Sequence, residues 1–527
     1  MYNCSKIILL CALFLNIRQS SAIVDVSVDF ERIRGTVPPT MYSLNIWYGI
    51  DPKVKNNTTY QDYLNVLNLP FVRIHGWEMI SETHQRSWVD FDNNRWNVTA
   101  IDNSLSGILP NVGGGQNVMI NIPGDVSFIT SDDHYADWCA ELVDIVNNEL
   151  GYNVLYWEPQ NERQDAWGVT KMGTRYNKCA VAMKEKDASI KIGGPGVNLP
   201  WWSGMSSFLS TCKAHLDFVT YHHYGGGDGT IDNQKIYDNA KSVGQAGSAV
   251  RNAMSSAGFP ASVPLYHGET NIVWSWDKDP QGKMRNNVGA VFDAILFKYA
   301  VEQKAVQSVQ LWNDRDGAYG KMGNSNERRP GYYNLKVASD NLYGDRVHSR
   351  SNDSKLMVMA TMHDTKKTVL LINRSTVDKT VKFTFSGFTP SGSYTLHSIK
   401  KQYTETEQAW QDSITIASES VAYLVFEDVA GAVEPPVFQP SEFILQQNYP
   451  NPFNPETTIQ YDIPRASFVT LQICDIRGRL LDTLVEQVQP SGHHVVKFMN
   501  QGLPSGTYFC KLMVGNFSQV RKMLLVQ

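Results

Sequence analysis

The stretch VLYWEPQNE, residues 154–162, joins an apolar run of strand length to a polar end that carries two glutamates. Apolar runs of this kind recur along the first part of the chain, and segments with helical periodicity separate them. The runs are residues 41–48, 71–76, 117–123, 154–158, 190–194, 218–221, 263–267 and 306–312, and the clearest helical segments are 136–150, 176–186 and 288–301. Eight strands alternating with helices predict a (β/α)8 barrel of the α/β class rather than an open doubly wound sheet.

The hydrophobic pattern changes after the predicted barrel. From about residue 355 the period becomes two, in LMVMATMH, TVLLIN, VKFTFSGF, YTLHSI and VAYLVFED, which predicts a β-sandwich packed on the barrel. A proline-containing linker precedes a last all-β region with strands in ETTIQYDIP, SFVTLQICDI, HHVVKFM and TYFCKLMVG. The predicted domains are the barrel (23–340), the sandwich (341–428), the linker (429–441) and the C-terminal domain (442–527). Residues 23–31 either begin the barrel domain or add a strand to the sandwich.

The first 22 residues have the features of a secretory signal peptide. Lys6 supplies the charge, residues 7–15 form the apolar run, and Ser20-Ser21-Ala22 offers a cleavage site. The apolar run is short for a membrane span, and no later stretch reads as transmembrane. We therefore expect an exported protein without a membrane span.

Charge and cysteine content exclude several classes of partner and cofactor. The net charge of −5 comes from 47 basic and 52 acidic residues, so there is no basic footprint for nucleic acid. The five cysteines beyond the signal peptide have no CxxC spacing, which argues against a metal knuckle or a dense disulfide framework. We predict no metal and no cofactor, and the sequence leaves the oligomeric state open. Cys474 and Cys510 lie in strand-like segments and either pair or remain thiols.

Two glutamates stand where barrel strands end, which is where barrel enzymes build their active sites. Asn161-Glu162 ends the stretch that starts at residue 154. Glu269 follows the run at residues 263–267, three runs later, in VPLYHGETN. Paired carboxyl groups hydrolyse glycosidic bonds, one protonating the leaving oxygen and one attacking the anomeric carbon. We predict Glu162 as acid/base and Glu269 as nucleophile. Glu158 is the alternative within its stretch, as a buried structural carboxylate, and Glu269 could instead cap a helix.

This arrangement resembles the clan A glycoside hydrolases, which carry Asn-Glu after strand four and a lone Glu after strand seven. The β-xylosidase/α-L-iduronidase family, family 39, is the most similar, through FVRIHG, IKIGGPG, DFVTYHHY and HGETN. The resemblance covers about residues 40 to 428. It implies a secreted retaining glycosidase that acts on plant or algal polysaccharides or oligosaccharides. The most specific activity that it implies is that of a β-xylosidase. Other clan A activities (arabinofuranosidase, galactosidase or agarase, endo-glucanase) stay open, as does a non-catalytic carbohydrate-binding protein. In this chain no proline follows Glu162, whereas many relatives have Asn-Glu-Pro.

The resemblance also implies the residues that surround the two glutamates. Arg73 would keep Glu269 ionised, Asn161 would contact the sugar 2-hydroxyl, and Trp312 would form the floor beneath the sugar. His223 and Tyr224 would line the cleft and steady the carboxylates. Trp47, Trp77 and Trp274 are predicted to stack on sugar rings, although tryptophans in barrels are more often packing residues. Alternatively, Arg73 could pair with another acid at the barrel base, and His75, His222, His223 and His267 could be zinc ligands, although no HExxH spacing is present.

The C-terminal region resembles the sorting domain of the type IX secretion system. The similarity begins in QNYPNPFNP, residues 447–455, and continues through IQYDIP, CDIRGR, SGTYF and KLMVG in the same order. It implies transit across an outer membrane through that machinery, removal of the tail, and release or attachment at the cell surface. The alternative is an ordinary accessory β-domain, such as a carbohydrate-binding one.

Overall fold

A computed structural model describes most of the chain. The described residues are 23–76, 79, 87–124, 126–198, 200–390, 392–427, 443–464, 467–489, 492–500, 502–514 and 517–526. The predicted signal peptide, the predicted linker and Trp77 lie outside these residues. Among the helices of the described part, none is long and apolar enough to cross a membrane.

Eight parallel strands close into a barrel, which confirms the predicted fold class. They are β2 (Tyr42–Ile46), β3 (Val72–Ile74), β6 (Val118–Ile122), β7 (Tyr156–Pro159), β8 (Lys191–Val197), β9 (Phe218–His222), β10 (Leu265–Thr270) and β11 (Ser308–Leu311). Each predicted apolar run contains or overlaps one of these strands. The strands are almost entirely buried, as expected for a parallel sheet whose outer face is covered by helices. A short hairpin of β4 (Val89–Asp90) and β5 (Arg95–Trp96) follows the second barrel strand.

Helices connect the barrel strands and cover the outside of the barrel. They are α1 (Thr58–Leu67), α2 (Val98–Ile108), α3 (Asp132–Val143), α4 (Gln164–Lys186), α5 (Met205–Cys212), α6 (Asn233–Gln245), α7 (Gly247–Ser256), α8 (Asn287–Gln303) and α9 (Pro330–Asn341). A π-helical turn (Asp144–Glu149) extends α3. Several helices begin at an Asn, Ser or Asp whose side chain accepts a backbone N–H of the first turn, as Asn286 does from Val288 in α8.

A nine-stranded sheet follows the barrel and includes the first strand of the chain. Its strands are β1 (Val24–Thr36), β12 (Asp345–Ser351), β13 (Leu356–His363), β14 (Lys366–Asn373), β15 (Lys379–Ser386), β16 (Ser393–Ile399), β17 (Tyr403–Ala409), β18 (Ser413–Ile416) and β19 (Ser420–Glu427). Their spatial order is β17-β16-β19-β14-β13-β12-β1-β15-β18. The sheet curls over itself, because the Phe385 ring of β15 reaches the Phe426 ring of β19 at a centroid distance of 5.9 Å although four strands separate them.

Three strands of this sheet escape prediction, β12 and β17 because they lack alternating apolar residues and β18 because its alternating run is only four residues long. β12 buries only Val347, and its backbone is ordered by antiparallel pairing with β1. β17 is an edge strand whose side chains are exposed or half-buried, and β18 is a short strand at the other edge. Edge strands need little burial, since one neighbour is enough to order them.

The C-terminal region consists of two small sheets around one apolar core. The first contains β20 (Ile444–Leu445), β21 (Glu456–Ile463) and β24 (Gly492–Met499); the second contains β22 (Ser467–Cys474), β23 (Leu480–Gln489), β25 (Gly506–Val514) and β26 (Phe517–Leu525). β23 was not predicted, because its leucines and valines are interrupted by acidic residues. The five cysteines of the described part are free thiols. Cys510 faces the core opposite Ile473, whereas the adjacent Cys474 points to the other face of the sheet.

The C-terminal domain contacts the base of the barrel, at the loops that lead into β6 and β7. The Tyr449 hydroxyl lies 3.0 Å from the Tyr152 hydroxyl, and the two rings are 5.3 Å apart. Tyr152 also donates a hydrogen bond of 2.6 Å to Asp102. Because β6 and β7 run away from this end, the contact lies opposite the end where Glu162 and Glu269 follow their strands.

The nine-stranded sheet is joined to the barrel by a buried polar contact, which generates a stability prediction. The Tyr423 hydroxyl of β19 donates a 2.8 Å hydrogen bond to Asn334 of α9, and both residues are fully buried. Tyr423→Phe leaves the Asn334 oxygen without this donor, so the free energy of unfolding should fall by about 1–3 kcal/mol. Calorimetric or denaturant unfolding measures the change. Tyr394→Phe, which removes a hydroxyl bonded to the exposed Gln408, is the control and should cost about 0.5 kcal/mol or less. Equal losses in the two variants would contradict the prediction.

Candidate active site

Glu162 and Glu269 meet at the carboxyl-terminal end of the barrel. Glu269 lies within β10, and Glu162 lies three residues beyond β7. One oxygen of each carboxylate and the Nδ1 atom of His222, at the end of β9, all lie within 4.8 Å of one another. The Glu162 side chain is 32% exposed and that of Glu269 is 6% exposed. One carboxylate is therefore open to solvent and the other is enclosed by protein.

A left-handed backbone conformation presents Glu162 to the site. Its φ is +50°, a value that non-glycine residues adopt rarely and mainly where surrounding structure enforces it. Its N–H donates a 2.9 Å hydrogen bond to the carbonyl of Gly196 in β8. Gly196 is itself at φ +59°, and a Cβ there would lie 3.1 Å from a Glu158 oxygen. Gly196, the last glycine of IKIGGPG, thus lets β8 approach both Glu158 and Glu162.

Arg73 links the two candidate stretches at the bottom of the site. Its guanidinium is fully buried and donates to Glu158 at 2.7 and 2.9 Å, to Glu269 at 3.2 Å and to Asn161 at 2.7 Å. Glu158 also accepts from Asn121 at 2.9 Å and from the Thr220 hydroxyl. The structure therefore places Glu158 inside the barrel as a partner of Arg73, with its oxygens occupied by these donors.

Three basic side chains set the electrostatics of Glu269. Burial alone raises the pKa of this carboxyl, but His222, His75 and Arg73 outweigh burial and bring the pKa well below its ordinary value. His75 Nε2 is 3.0 Å from one Glu269 oxygen. The Tyr224 hydroxyl donates to the other oxygen at 3.0 Å. Glu269 is thus held ionised and fixed in orientation by surrounding donors.

His222 lies between the two carboxylates. Its Nδ1 is 2.8 Å from Glu162 and 3.4 Å from Glu269. Burial opposes its protonation, but the charges of Glu269 and Glu162 and the hydrogen bond with Glu162 raise the pKa of the ring above its ordinary value. A charged imidazole here favours the ionised form of Glu269.

The prediction from sequence gave the cleft role to the neighbouring His223 and considered His222 and His75 only as alternative zinc ligands. The His223 ring packs edge-on against Trp201 with a centroid distance of 4.8 Å, and its backbone N–H donates to the Glu269 carbonyl. Thr220, His222 and Tyr224 all reach the two glutamates or Glu158. The two-residue period of a strand is the signal that could have identified His222. Of the other histidines considered as zinc ligands, His267 Nε2 contacts the His223 carbonyl at 3.1 Å.

Aromatic residues form one wall of the site and part of its rim. The Trp312 ring is 4.6 Å from His75 and 5.0 Å from Trp47, so these three rings form a continuous wall beside Glu269. Tyr319, which was not predicted, lies 6.4 Å from Trp312 and donates to the carbonyl of Trp274. On the rim, the tryptophans that are at least 60% exposed are Trp201, Trp274 and Trp276.

The same three groups at the centre have donor atoms that a cation could use. Glu162, His222 and Glu269 each offer one atom within the 4.8 Å span. Arg73 lies 3.2 Å from Glu269, and its fixed positive charge opposes a divalent cation there. In the structure the three donors contact one another directly through hydrogen bonds and ion pairs.

Comparison with known proteins identifies two segments of the chain. Residues 152–371 match the profile described as "Glycosyl hydrolases family 39", and residues 447–527 match the "Secretion system C-terminal sorting domain". The predicted resemblance to clan A glycosidases with a type IX sorting domain, and the predicted glycosidase class, are thus confirmed. The sorting domain likewise confirms the predicted localisation, secreted or at the cell surface. No curated protein matches the chain.

Solved structures with the same fold have low sequence identity to this chain. A monomeric β-xylosidase from Caulobacter crescentus CB15 is 15% identical, covers 77% of this chain and 100% of its own, and has a TM-score of 0.57. An α-L-arabinofuranosidase from Thermotoga maritima is 14% identical with the same coverage and a TM-score of 0.60. A family 39 enzyme from Xanthomonas axonopodis pv. citri is 16% identical over 79% of this chain and 100% of its own, with a TM-score of 0.57. At these identities the similarity describes the fold.

The depressed pKa of Glu269 predicts how activity responds to acid. His75→Leu removes the ring whose Nε2 lies 3.0 Å from Glu269. Burial lowers the pKa of His75, so the loss is chiefly that of a hydrogen-bond donor, and the pKa of Glu269 should rise toward its ordinary value. The acid limb of kcat/KM, measured with an aryl glycoside, should then move to higher pH. His223→Leu is the matched control, since the His223 ring packs on Trp201, and its acid limb should stay where the wild-type limb lies. An unmoved limb in His75→Leu would contradict this electrostatic role.

Proposed function

We propose that this glycoside hydrolase cleaves O-glycosidic bonds with retention of configuration, with Glu269 as nucleophile and Glu162 as acid/base. The observation that carries the proposal is the approach of the two carboxylates, whose nearest oxygens lie within 4.8 Å. Retaining enzymes separate their carboxyl groups by about 5–5.5 Å, whereas inverting enzymes need about 6.5–9.5 Å to admit a water molecule. The short separation favours direct attack by a carboxylate.

The two environments suit two different tasks. Glu269 is buried, ionised and oriented by His75, Arg73 and Tyr224, as a nucleophile must be before it attacks the anomeric carbon. Glu162 is more exposed and hydrogen-bonded to His222, so it can exchange protons with the leaving group and then with water. In the first step a Glu269 oxygen bonds to the anomeric carbon while the glycosidic bond breaks and its oxygen takes the Glu162 proton. In the second step, a water molecule gives a proton to Glu162 and the water oxygen bonds to the anomeric carbon. The bond between that carbon and Glu269 breaks, which frees the Glu269 carboxylate.

The groups around the two carboxylates support a position for the bound sugar ring. A ring bound over the carboxylates would face the wall of Trp47, His75 and Trp312 on one side. Asn161 is held through its oxygen by Arg73, which leaves its amide N–H groups available for a sugar hydroxyl. His222 and Tyr224 would keep the carboxylates aligned, and the Trp274 and Trp201 rings would receive further sugar units at the rim.

The substrate we propose is a β-xyloside within plant or algal oligo- or polysaccharides, cleaved outside the cell. The family 39 match and the fold shared with a β-xylosidase support this choice. The fold is equally shared with an α-L-arabinofuranosidase, which makes arabinofuranosides the next substrates to assay. The sorting domain supports export through the type IX machinery, followed by tail removal.

Substitution of the two glutamates tests the mechanism. Glu162→Gln and Glu269→Ala should each lower kcat on a natural oligosaccharide by about 10²–10⁴-fold or more, because each removes a group that acts in the transition state. Azide should restore turnover of an activated aryl glycoside by Glu269→Ala, giving a glycosyl azide of inverted configuration. Proton NMR should show that the wild-type enzyme first releases the anomer of the substrate's own configuration.

The matched control is Glu302→Gln, which removes a carboxylate on the outside of the barrel that is paired with Lys298. Its turnover should equal that of the wild type. Inverted product from the wild-type enzyme, or normal turnover by either active-site variant, would overturn the proposed roles.

The exposed tryptophans predict a length-dependent effect on binding. Trp201→Ala and Trp274→Ala should raise KM for oligosaccharides by about 5–10-fold, the loss expected for one aromatic stacking contact. The KM of a small aryl glycoside should change less, because such a substrate is bound near the carboxylates and is too short to reach these two tryptophans. Phe468→Ala removes an aromatic ring of similar exposure from the C-terminal domain and should leave both KM values unchanged. Equal changes for short and long substrates would argue against subsites at these rings.

A further inference from the structure

A second cavity lies between the barrel and the nine-stranded sheet. Its volume is about 490 Å³, within the range of small-ligand sites. Its walls come from α6 and α8 of the barrel and from β12 and β13 of the sheet, with the turn that joins the last two. It shares no lining residue with the site at Glu162 and Glu269, so it requires an explanation of its own.

The lining of this cavity is strongly basic. Five basic residues and two acidic residues contribute to it: Lys241, Lys298, Arg350, Lys355 and Arg374, against Asp238 and Asp353. Both acids already have partners, since Asp238 is 2.6 Å from Arg374 and Asp353 is 2.8 Å from Lys379.

Three of these basic residues are not neutralised by protein. Lys298 is paired with Glu302 at 2.7 Å. Within the described residues, no carboxylate lies within ion-pair distance of the other three, which are Lys241, Arg350 and Lys355. Their positive charge is thus available to a ligand.

Local contacts hold some of these groups in place before a ligand arrives. The Tyr299 ring lies 4.6 Å from the Lys298 nitrogen and 5.4 Å from the Lys241 nitrogen, which restrains both ammonium groups. Arg374 of the sheet domain ties its wall to α6 through Asp238, and its Nε is buried without a hydrogen-bond partner among the described residues.

The remaining polar lining consists of the serines Ser349, Ser351 and Ser354. The Ser351 hydroxyl is already bonded to the backbone of Asp353 as donor and acceptor. A serine hydroxyl such as that of Ser354 can both donate to and accept from a sugar hydroxyl.

We propose that this cavity binds an anionic oligosaccharide, a glycan whose sugars carry carboxylate or sulfate groups. Lys241, Arg350 and Lys355 would pair with the anionic groups, and Ser354 would bond a sugar hydroxyl. The cavity would hold a charged polysaccharide on the enzyme at a distance from the catalytic carboxylates. The inference does not depend on the proposed roles of Glu162 and Glu269.

Titration calorimetry on the full chain tests this site. The Glu162→Gln background prevents consumption of the probes, which are an oligogalacturonate, a sulfated galactan oligosaccharide and a neutral xylo-oligosaccharide. At least one anionic probe should bind, and Lys241→Glu/Arg350→Glu should weaken it by about tenfold or more, since two cations become anions. The carboxylated and sulfated probes distinguish the two sources of charge. Added salt should weaken binding as well.

The matched control is Lys235→Glu/Lys382→Glu, which changes the net charge equally at exposed positions outside the cavity. It should keep the affinity within about twofold, because distant exposed charges are screened. Equal losses in both double variants would overturn the proposal in favour of a general charge effect. So would no loss in either variant, tighter binding of the neutral probe that Lys241→Glu/Arg350→Glu weakens equally, or displacement by inorganic sulfate at the same concentration as the sulfated probe. Thermal unfolding at an unchanged temperature verifies that the variants fold, and failure of the catalytic proposal would appear only in the turnover assays.

Discussion

A buried guanidinium organises the catalytic end of the barrel. Arg73 has no contact with water, and an uncompensated charge in such a position would cost several kcal/mol. Glu158, Glu269, Asn45 and Asn161 supply the compensation, and these residues come from three different strands or the segments after them. The arrangement therefore fixes the nucleophile and the Asn-Glu segment to the same point. It also explains why the chain keeps a third carboxylate, Glu158, only four residues before Glu162.

The fold and the two glutamates were accessible from sequence because both depend on local patterns. Apolar runs of strand length mark the barrel strands, and the acids follow two of them. The partners were less accessible, since they depend on which residues of neighbouring strands share one layer. Asn45 pairs in register with Arg73, and Asn121 pairs with Glu158. Register between strands distant in sequence cannot be read from one chain, which is why Asn45, Asn121 and the contact of His75 with Glu269 were not predicted.

His222 and the missed strands show two different reasons for failure. The cleft role was predicted for His223, whereas the residue that lies between the two carboxylates is His222, one position earlier at the end of β9, where the side chains alternate between the site and the surrounding helices. Tyr221 stacks on His267, whereas Thr220 contacts Glu158 within the barrel, so the parity of the strand assigns His222 to the site. The polar edge strand β17 has no such internal signal. Its conformation comes from the hydrogen bonds of β16, and nothing in YTETEQA distinguishes it from a loop.

The contact of Tyr449 with Tyr152 places the C-terminal domain at the end of the barrel opposite the two carboxylates. The tail is seated on one end of the barrel and the carboxylates open at the other, with the length of the barrel between them. Until the tail is removed, a chain held by it would therefore turn the carboxylate end of the barrel outward, toward the medium, while the surface that holds it faces the barrel base. Polymers too large to diffuse beneath the protein would still reach the carboxylates. Attachment at the barrel base and substrate binding would therefore use opposite ends of the barrel. Loss of the tail would uncover a tyrosine and an aspartate at the base without altering the opposite end.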